Sequence, residues 1–241
     1  SGWSVMSLEP NEEPKRNAGD RSKGMGEGSV FSLLLKYSMP AIVGMLAQAV
    51  YNIVDRVFVG HAVGPLGITG TTVAVPFFLI LMAFSMLIGL GATALVSIRL
   101  GQRKVNDAER VLGNATVLLI LISVVLTVLG TIFLVPLLRF FGASDQSLPF
   151  AQDYLQIIVF GSVFQSIGFG LNSIIRAEGN PRIAMVTMLI GAILNAVLDP
   201  LFLFGFGWGM KGAAVATVIS QAVSAIWVVS YFTRGGSLLR L

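Results

Sequence analysis

The stretch GAILNAVLDPLFLFGFG, residues 191–207, decides the fold. With the residues before it, it is apolar for long enough to cross a bilayer, which takes about 20 apolar residues in a helix. Yet it carries Asn195 and Asp199 in its interior, and Pro200 directly after the acid. A charged side chain at bilayer depth costs about 2.5–3.5 kcal/mol on insertion scales, so such residues are rare and face a cavity or a partner. A second stretch repeats the pattern. AVYNIVDRVFVG, residues 49–60, places Asp55 in an equally apolar run.

Composition agrees with a membrane protein. The 241 residues are 55% hydrophobic and 12% charged, against about 25% charged in a soluble domain. Six segments are long and apolar enough to span: roughly 31–59, 71–95, 115–138, 154–175, 183–204 and 213–232. The connectors between them are short and rich in turn residues, as in RAEGNPR and GWGMKG. Residues 1–30 are polar, mixed in charge and contain Gly and Pro, which reads as a disordered cytoplasmic tail. No short apolar core precedes a small-residue cleavage site there, so it does not read as a signal peptide. Residues 233–241 read as a cytoplasmic end, a truncated linker to something further on. The fold class expected is therefore an all-α membrane protein of six transmembrane helices.

The basic residues set the orientation. Of sixteen Lys and Arg, thirteen fall on one side: Lys15, Arg16, Arg21, Lys23 and Lys36, then Arg99, Arg103, Lys104 and Arg110, then Arg176 and Arg182, then Arg234 and Arg240. Arg139 and Lys211 lie on the other side, and Arg56 is the only base placed within a span. The positive-inside rule makes both termini cytoplasmic, in the inner membrane. The net charge of +4 is thus topological and implies no nucleic-acid surface.

Depth then gathers the polar residues. Asp55 lies about 24 Å along the first span from Met39, and Asp199 about 24 Å along the fifth from Ile183, at ~1.5 Å per residue. Both spans run outward, so both acids reach the outer half of the bundle. Thr217 falls in the outer third of the sixth span. Asn195 is four residues before Asp199 and shares its face, and Tyr51 and Asn52 are expected on the face of Asp55. Pro40 and Pro200 each remove a backbone donor and free the carbonyl four residues earlier, predicting a bend in the first and the fifth helix. Frequent Gly, 27 in all, permits close helix packing.

Other chemistries are excluded by what is missing. There is no Cys, one His, no GxxxxGK[ST] loop and no HExxH or GxSxG, so neither ATP hydrolysis nor an enzymatic nucleophile is in view, and no cofactor is expected. Carboxylate, amide and hydroxyl oxygens could hold Na⁺, or a carboxyl could take a proton. The sequence does not choose between the two ions.

These stretches, YSMPAIVGMLAQAVYNIVDRVFVGHAVGPLGITG (37–70), GLGATALVSIRLGQRKVNDAERVLGNA (89–115) and SIIRAEGNPRIAMVTMLIGAILNAVLDPLFLFGFGWGMKGAAVATVISQ (173–221), resemble the N-terminal half of a multidrug and toxin extrusion (MATE) transporter of the prokaryotic, DinF-like kind. The resemblance implies one six-helix lobe of a twelve-helix antiporter that exports cationic lipophilic compounds in exchange for H⁺ or Na⁺. By position it implies a cation site at Asp55, Asn195, Asp199 and Thr217, with Tyr51, Tyr154 and Asn172 lining the cavity and Pro40 at a helix-1 bend. Organic cations, the bilayer and a second six-helix lobe are the partners implied. Two alternatives remain at this level: a flippase for lipid-linked precursors, which expects a basic cavity, and an inactive half or scaffold.

Overall fold

A computed structural model describes residues 30–241. The expected tail, residues 1–30, lies outside it except for Val30, which opens the first helix. Among the described residues the chain is helical, with no strand. The elements are α1 (Val30–Ala62), α2 (Pro65–Gly101), α3 (Val105–Ile132), α4 (Leu134–Phe140), α5 (Leu148–Ala177), α6 (Pro181–Pro200), a π turn (Leu201–Gly205) and α7 (Gly209–Thr233). Six of these units are long and apolar enough to cross a membrane, α6 and its π turn counting as one.

Two boundaries differ from expectation for a local reason. The third span was expected to run to residue 138, but α3 stops at Ile132 and α4 starts afresh. Pro136 has no N–H to donate and its ring clashes with the carbonyl four residues back, that of Ile132. The break at Phe133 removes that conflict, and Pro136 falls in the first turn of α4, where no donor is needed. The fifth span meets Pro200 in the same way. There the helix widens into a π turn, with Phe206 N–H donating to Leu201 O at 3.0 Å, five residues back. Pro40, by contrast, lies inside α1, whose helical assignment runs unbroken through it.

The bundle is built around α5, which packs against α2, α3 and α7, while α1 packs chiefly on α6. Apolar association is weak in lipid, so close approach and interhelical hydrogen bonds have to hold the helices together. A Cβ on Gly89 of α2 would lie 2.8 Å from Gly170 O of α5, so these backbones touch because residue 89 is Gly, and a Cβ on Gly170 would in turn meet Leu119 of α3 at 2.5 Å. On α1, a Cβ at Gly44 would meet Met188 Sδ at 2.7 Å, which sets α1 against α6. Thr127 of α3 donates to Val159 O of α5 at 2.9 Å or bonds Ser162 Oγ at 2.8 Å.

Buried apolar side chains form two separate clusters. One joins Val59, Phe77, Leu138, Tyr154, Ile158, Leu203 and Met210 at the end of the bundle nearest the acids. The other joins Val96, Leu112, Leu119, Ile174, Val228, Phe232 and Leu239 at the opposite end. Between them lies a polar layer that includes Ser162, Gln165, Ser166, Thr217 and Ser220, all buried. The candidate site occupies this layer and its border with the first cluster.

Candidate functional site

The packing of α1 on α6 brings Asp55 against Asp199. Both are buried, Asp199 fully, and their carboxyl groups share a hydrogen bond. Two carboxylates cannot bond each other without a proton between them, so close contact between these groups requires that one be neutral or that a cation lie between them. Asp55 Oδ1 is buried and has no partner among the described residues.

Asn195, one turn before Asp199, continues the network. With its amide nitrogen toward Asp199, it donates to Oδ2 at 2.5 Å, and its oxygen accepts from Thr217 Oγ1 and Thr217 N at 3.2 Å each. The single Thr217 hydroxyl proton goes either to Asn195 or to Ala213 O, which lies 3.0 Å from Oγ1. Tyr51 and Tyr154 lie close enough to Asp55, Asp199 and Thr217 to feel all three. Thus Asp55, Asn195, Asp199 and Thr217, which are far apart in sequence, form one contiguous group, with Tyr51 and Tyr154 beside it.

Asn52 and Tyr154 are placed differently from expectation, Tyr154 lying in the first apolar cluster rather than on the cavity wall that Tyr51 and Asn172 line. Asn52 does not join Asp55: it is exposed, and its Nδ2 donates to Gln48 O at 2.9 Å. Asn172 lines a cavity, but at the far end of it from the acids. Its Nδ2 donates to Ala184 O at 2.9 Å, and its Oδ1 accepts from Arg176 Nη2 at 2.6 Å and Nε at 3.2 Å.

That cavity holds about 660 Å³ of empty space, part of it open to the outside. Asn195, Thr217 and Tyr51 border one end, Asn172 and Arg176 the other, and Gln165, Thr187, Ser220, Gln221 and Ser224 lie between. The acid pair sits just beyond the Asn195–Thr217 end and does not itself line the space. Sequence reading missed the middle of this wall. Gln165 and Gln221 were visible as amides inside apolar spans, and that was the available signal. Arg176 had been counted only as a cytoplasmic charge, and the expectation that Arg56 is the sole base within a span fails, because α5 includes Arg176.

A third buried acid lies outside the spans. Glu178, in the turn after α5, is 2% exposed. It accepts from Ser237 Oγ, from Tyr231 OH at 3.1 Å, from Leu239 N at 3.1 Å and from Leu238 N. Burial pushes this carboxyl above the usual carboxylate range, and these four donors pull against the shift. Asn180 Nδ2 bonds Tyr231 OH at 2.5 Å, and Arg240 N donates to Glu109 Oε1 at 2.9 Å. The segment after α7 is thereby fastened to the α5–α6 connector and to the start of α3.

A bundle of helices long and apolar enough to span a membrane, with an acid pair at the edge of a polar cavity, places the chain in the class of multi-pass membrane proteins. The MatE family model matches residues 40–201, and the chain belongs to that family. It is 29% identical over 213 residues to the multidrug export protein MepA of Staphylococcus haemolyticus, covering 88% of this chain and 47% of the relative. Among solved structures, it is 41% identical to the MATE multidrug transporter DinF-BH, with a TM-score of 0.85 over 90% of this chain and 48% of that one. It is 27% identical to a MOP superfamily transporter from Pyrococcus furiosus, with a TM-score of 0.81 over 86% of this chain and 46% of that one. The chain therefore spans about half the length of the relatives it matches, and it corresponds to an N-terminal half.

Proposed function

We propose that this chain is the ion-coupling lobe of an exporter for cationic, lipophilic compounds, with both its ends cytoplasmic and a second six-helix lobe completing the transport cavity. The observation that carries the reading is the Asp55–Asp199 pair, buried, hydrogen-bonded to itself and continued by Asn195 and Thr217. Such a pair has two neutralised states of similar shape. A proton can sit between the carboxyls, or a Na⁺ can replace it, taking oxygens from Asp55, Asp199, Asn195 and Thr217. With neither bound, two negative charges face each other out of water, which is unfavourable enough to drive the helices apart. Asp199 is joined to a proline and a π turn, so α6 is locally free to adjust its winding beside the charge. That links ion occupancy to helix shape without any energy source other than the ion gradient. The relatives described as multidrug export and multidrug transport proteins support the same direction.

The flippase alternative has less support, since a pyrophosphate calls for several bases and the cavity offers one, Arg176. An inactive half is tested by the same experiment. Asp199→Asn in the full-length protein, reconstituted in liposomes with an imposed H⁺ or Na⁺ gradient, should reduce efflux of a cationic dye to background while leaving dye binding within a few fold. Gradient-driven efflux at the wild-type rate in this variant overturns the proposal, as does absence of gradient-driven efflux in the wild type.

A further inference from the structure

Much of the cavity wall presents oxygens that are free to accept. Thr187 Oγ1 donates to Ile183 O at 3.0 Å, Ser220 Oγ to Ala216 O at 2.8 Å and Ser224 Oγ to Thr187 O at 3.4 Å. A hydroxyl has one proton, so each of these has only its lone pairs left for the cavity. Gln221 Oε1 is buried and has no partner among the described residues, which adds another acceptor. These four oxygens favour a ligand that donates hydrogen bonds or carries positive charge, while the wall's own donors are the Gln165 and Gln221 amide nitrogens, Gln221 Nε2 donating to Gln165 Oε1 at 3.4 Å.

The inner end is the opposite. Arg176 has five N–H donors. Asn172 Oδ1 takes two of them, at 2.6 and 3.2 Å, and the amide is fixed by its Nδ2 donating to Ala184 O. No carboxylate pairs with this guanidinium among the described residues, although the residue is half-buried. Its remaining donors form a planar fork of the kind that matches a carboxylate in two parallel bonds. From Ala184 to Asn195 is eleven residues of helix, so the guanidinium lies about 16 Å from the end of the cavity that borders the acid pair.

We propose that Arg176 is an anion subsite, so that this cavity takes zwitterionic amphipaths, with a carboxylate on the Arg176 fork and a cationic or hydrogen-donating body along the Gln165–Ser220–Gln221 wall. This rests on the transporter reading above but concerns ligand class rather than energy coupling. A pure organic cation uses the wall alone and is indifferent to Arg176. A zwitterion needs both. Asn172 acts as a positioning residue, since it fixes the guanidinium without reaching the ligand's charge.

Two dyes of one scaffold separate these cases. Rhodamine B carries a free carboxylate beside its cationic ring system, and its ethyl ester carries no acid there. Binding of each to the purified full-length protein is measured by fluorescence anisotropy, with no ion gradient, so failure of ion coupling does not affect the readout. Arg176→Gln should weaken rhodamine B about tenfold and leave the ester within twofold. Arg176→Lys should recover part of the loss, and Asn172→Ala should weaken rhodamine B less than Arg176→Gln does. The ester is the folding control in every variant. Equal weakening of both dyes assigns Arg176 a structural role and overturns the proposal. So does an unchanged rhodamine B affinity, or a wild-type protein that binds the ester alone.

Discussion

Two buried acid sites lie at opposite ends of this lobe, and they differ in how well they are satisfied. Glu178 has four donors from the segment after α7 and its last turn directed at its two oxygens, and nothing is left over. Asp55 and Asp199 have one amide donor between them, lean on each other, and leave Asp55 Oδ1 with no partner among the described residues. Buried polar groups are normally paired, so the exceptions need a reason. A saturated acid is a fastening, whereas an unsaturated acid is a place for something to bind. The same burial thus serves different ends, and the distinction is the number of donors rather than the depth.

Substitutions can break this contrast. The largest expected effect is at Asp55→Asn: an amide cannot share a proton with Asp199 as a carboxyl does, so gradient-driven efflux should fall to background while thermal stability changes little. Loss of several degrees of stability with efflux intact would reverse the assignment of the two sites. Next comes Glu178→Ala, which leaves four donors without their acceptor. Hydrogen bonds to a charged carboxyl contribute about 1.5–3 kcal/mol, so the apparent Tm should fall by roughly 3–12 °C for a unit of this size. Thermal unfolding in detergent measures it, and efflux should survive in part at lower temperature. An unchanged Tm would show that the fastening holds nothing. The smallest effect belongs to Asn52→Ala, close to Asp55 in sequence but exposed and bonded only to Gln48 O. Efflux and stability should both stay near wild type, and a loss comparable to that at Asp55 would mean that Asn52 serves the site after all.

Asn52 also illustrates what the sequence could and could not give. Helical rise is constant, so counting from the span starts placed Asp55 and Asp199 at one depth, and the structure brings them together. Rotation about the helix axis is set by neighbours. At about 100° per residue Tyr51 lies about 40° to one side of Asp55 and Asn52 about 60° to the other, so both share its face by periodicity. Contact with α6 and α7 selects the Tyr51 side. Glu178 was illegible for a related reason. An acid in the turn RAEGNPR reads as solvated, and only a contact some sixty residues along the chain, with Ser237 and Leu239, buries it. Arg176 is one turn from Asn172, and periodicity alone could have put them on one face. Their joint cavity depends on how α5, α6 and α7 meet. The six spans were legible because hydropathy is a local property, and the break at Phe133 could have been read from Pro136.

The π turn after Asp199 has a consequence for how this helix tolerates change in length. A π turn holds one residue more than the α-helical ladder needs. Losing one residue between Leu201 and Gly205 would tighten it into ordinary helix and leave α6 and the acid face as they are. The same loss in the middle of α5 would turn every later residue by about 100° and carry Gly170, Asn172 and Arg176 off their neighbours. The spare residue sits beside Asp199, so this is where the lobe can take up a shift in register without unpicking its core.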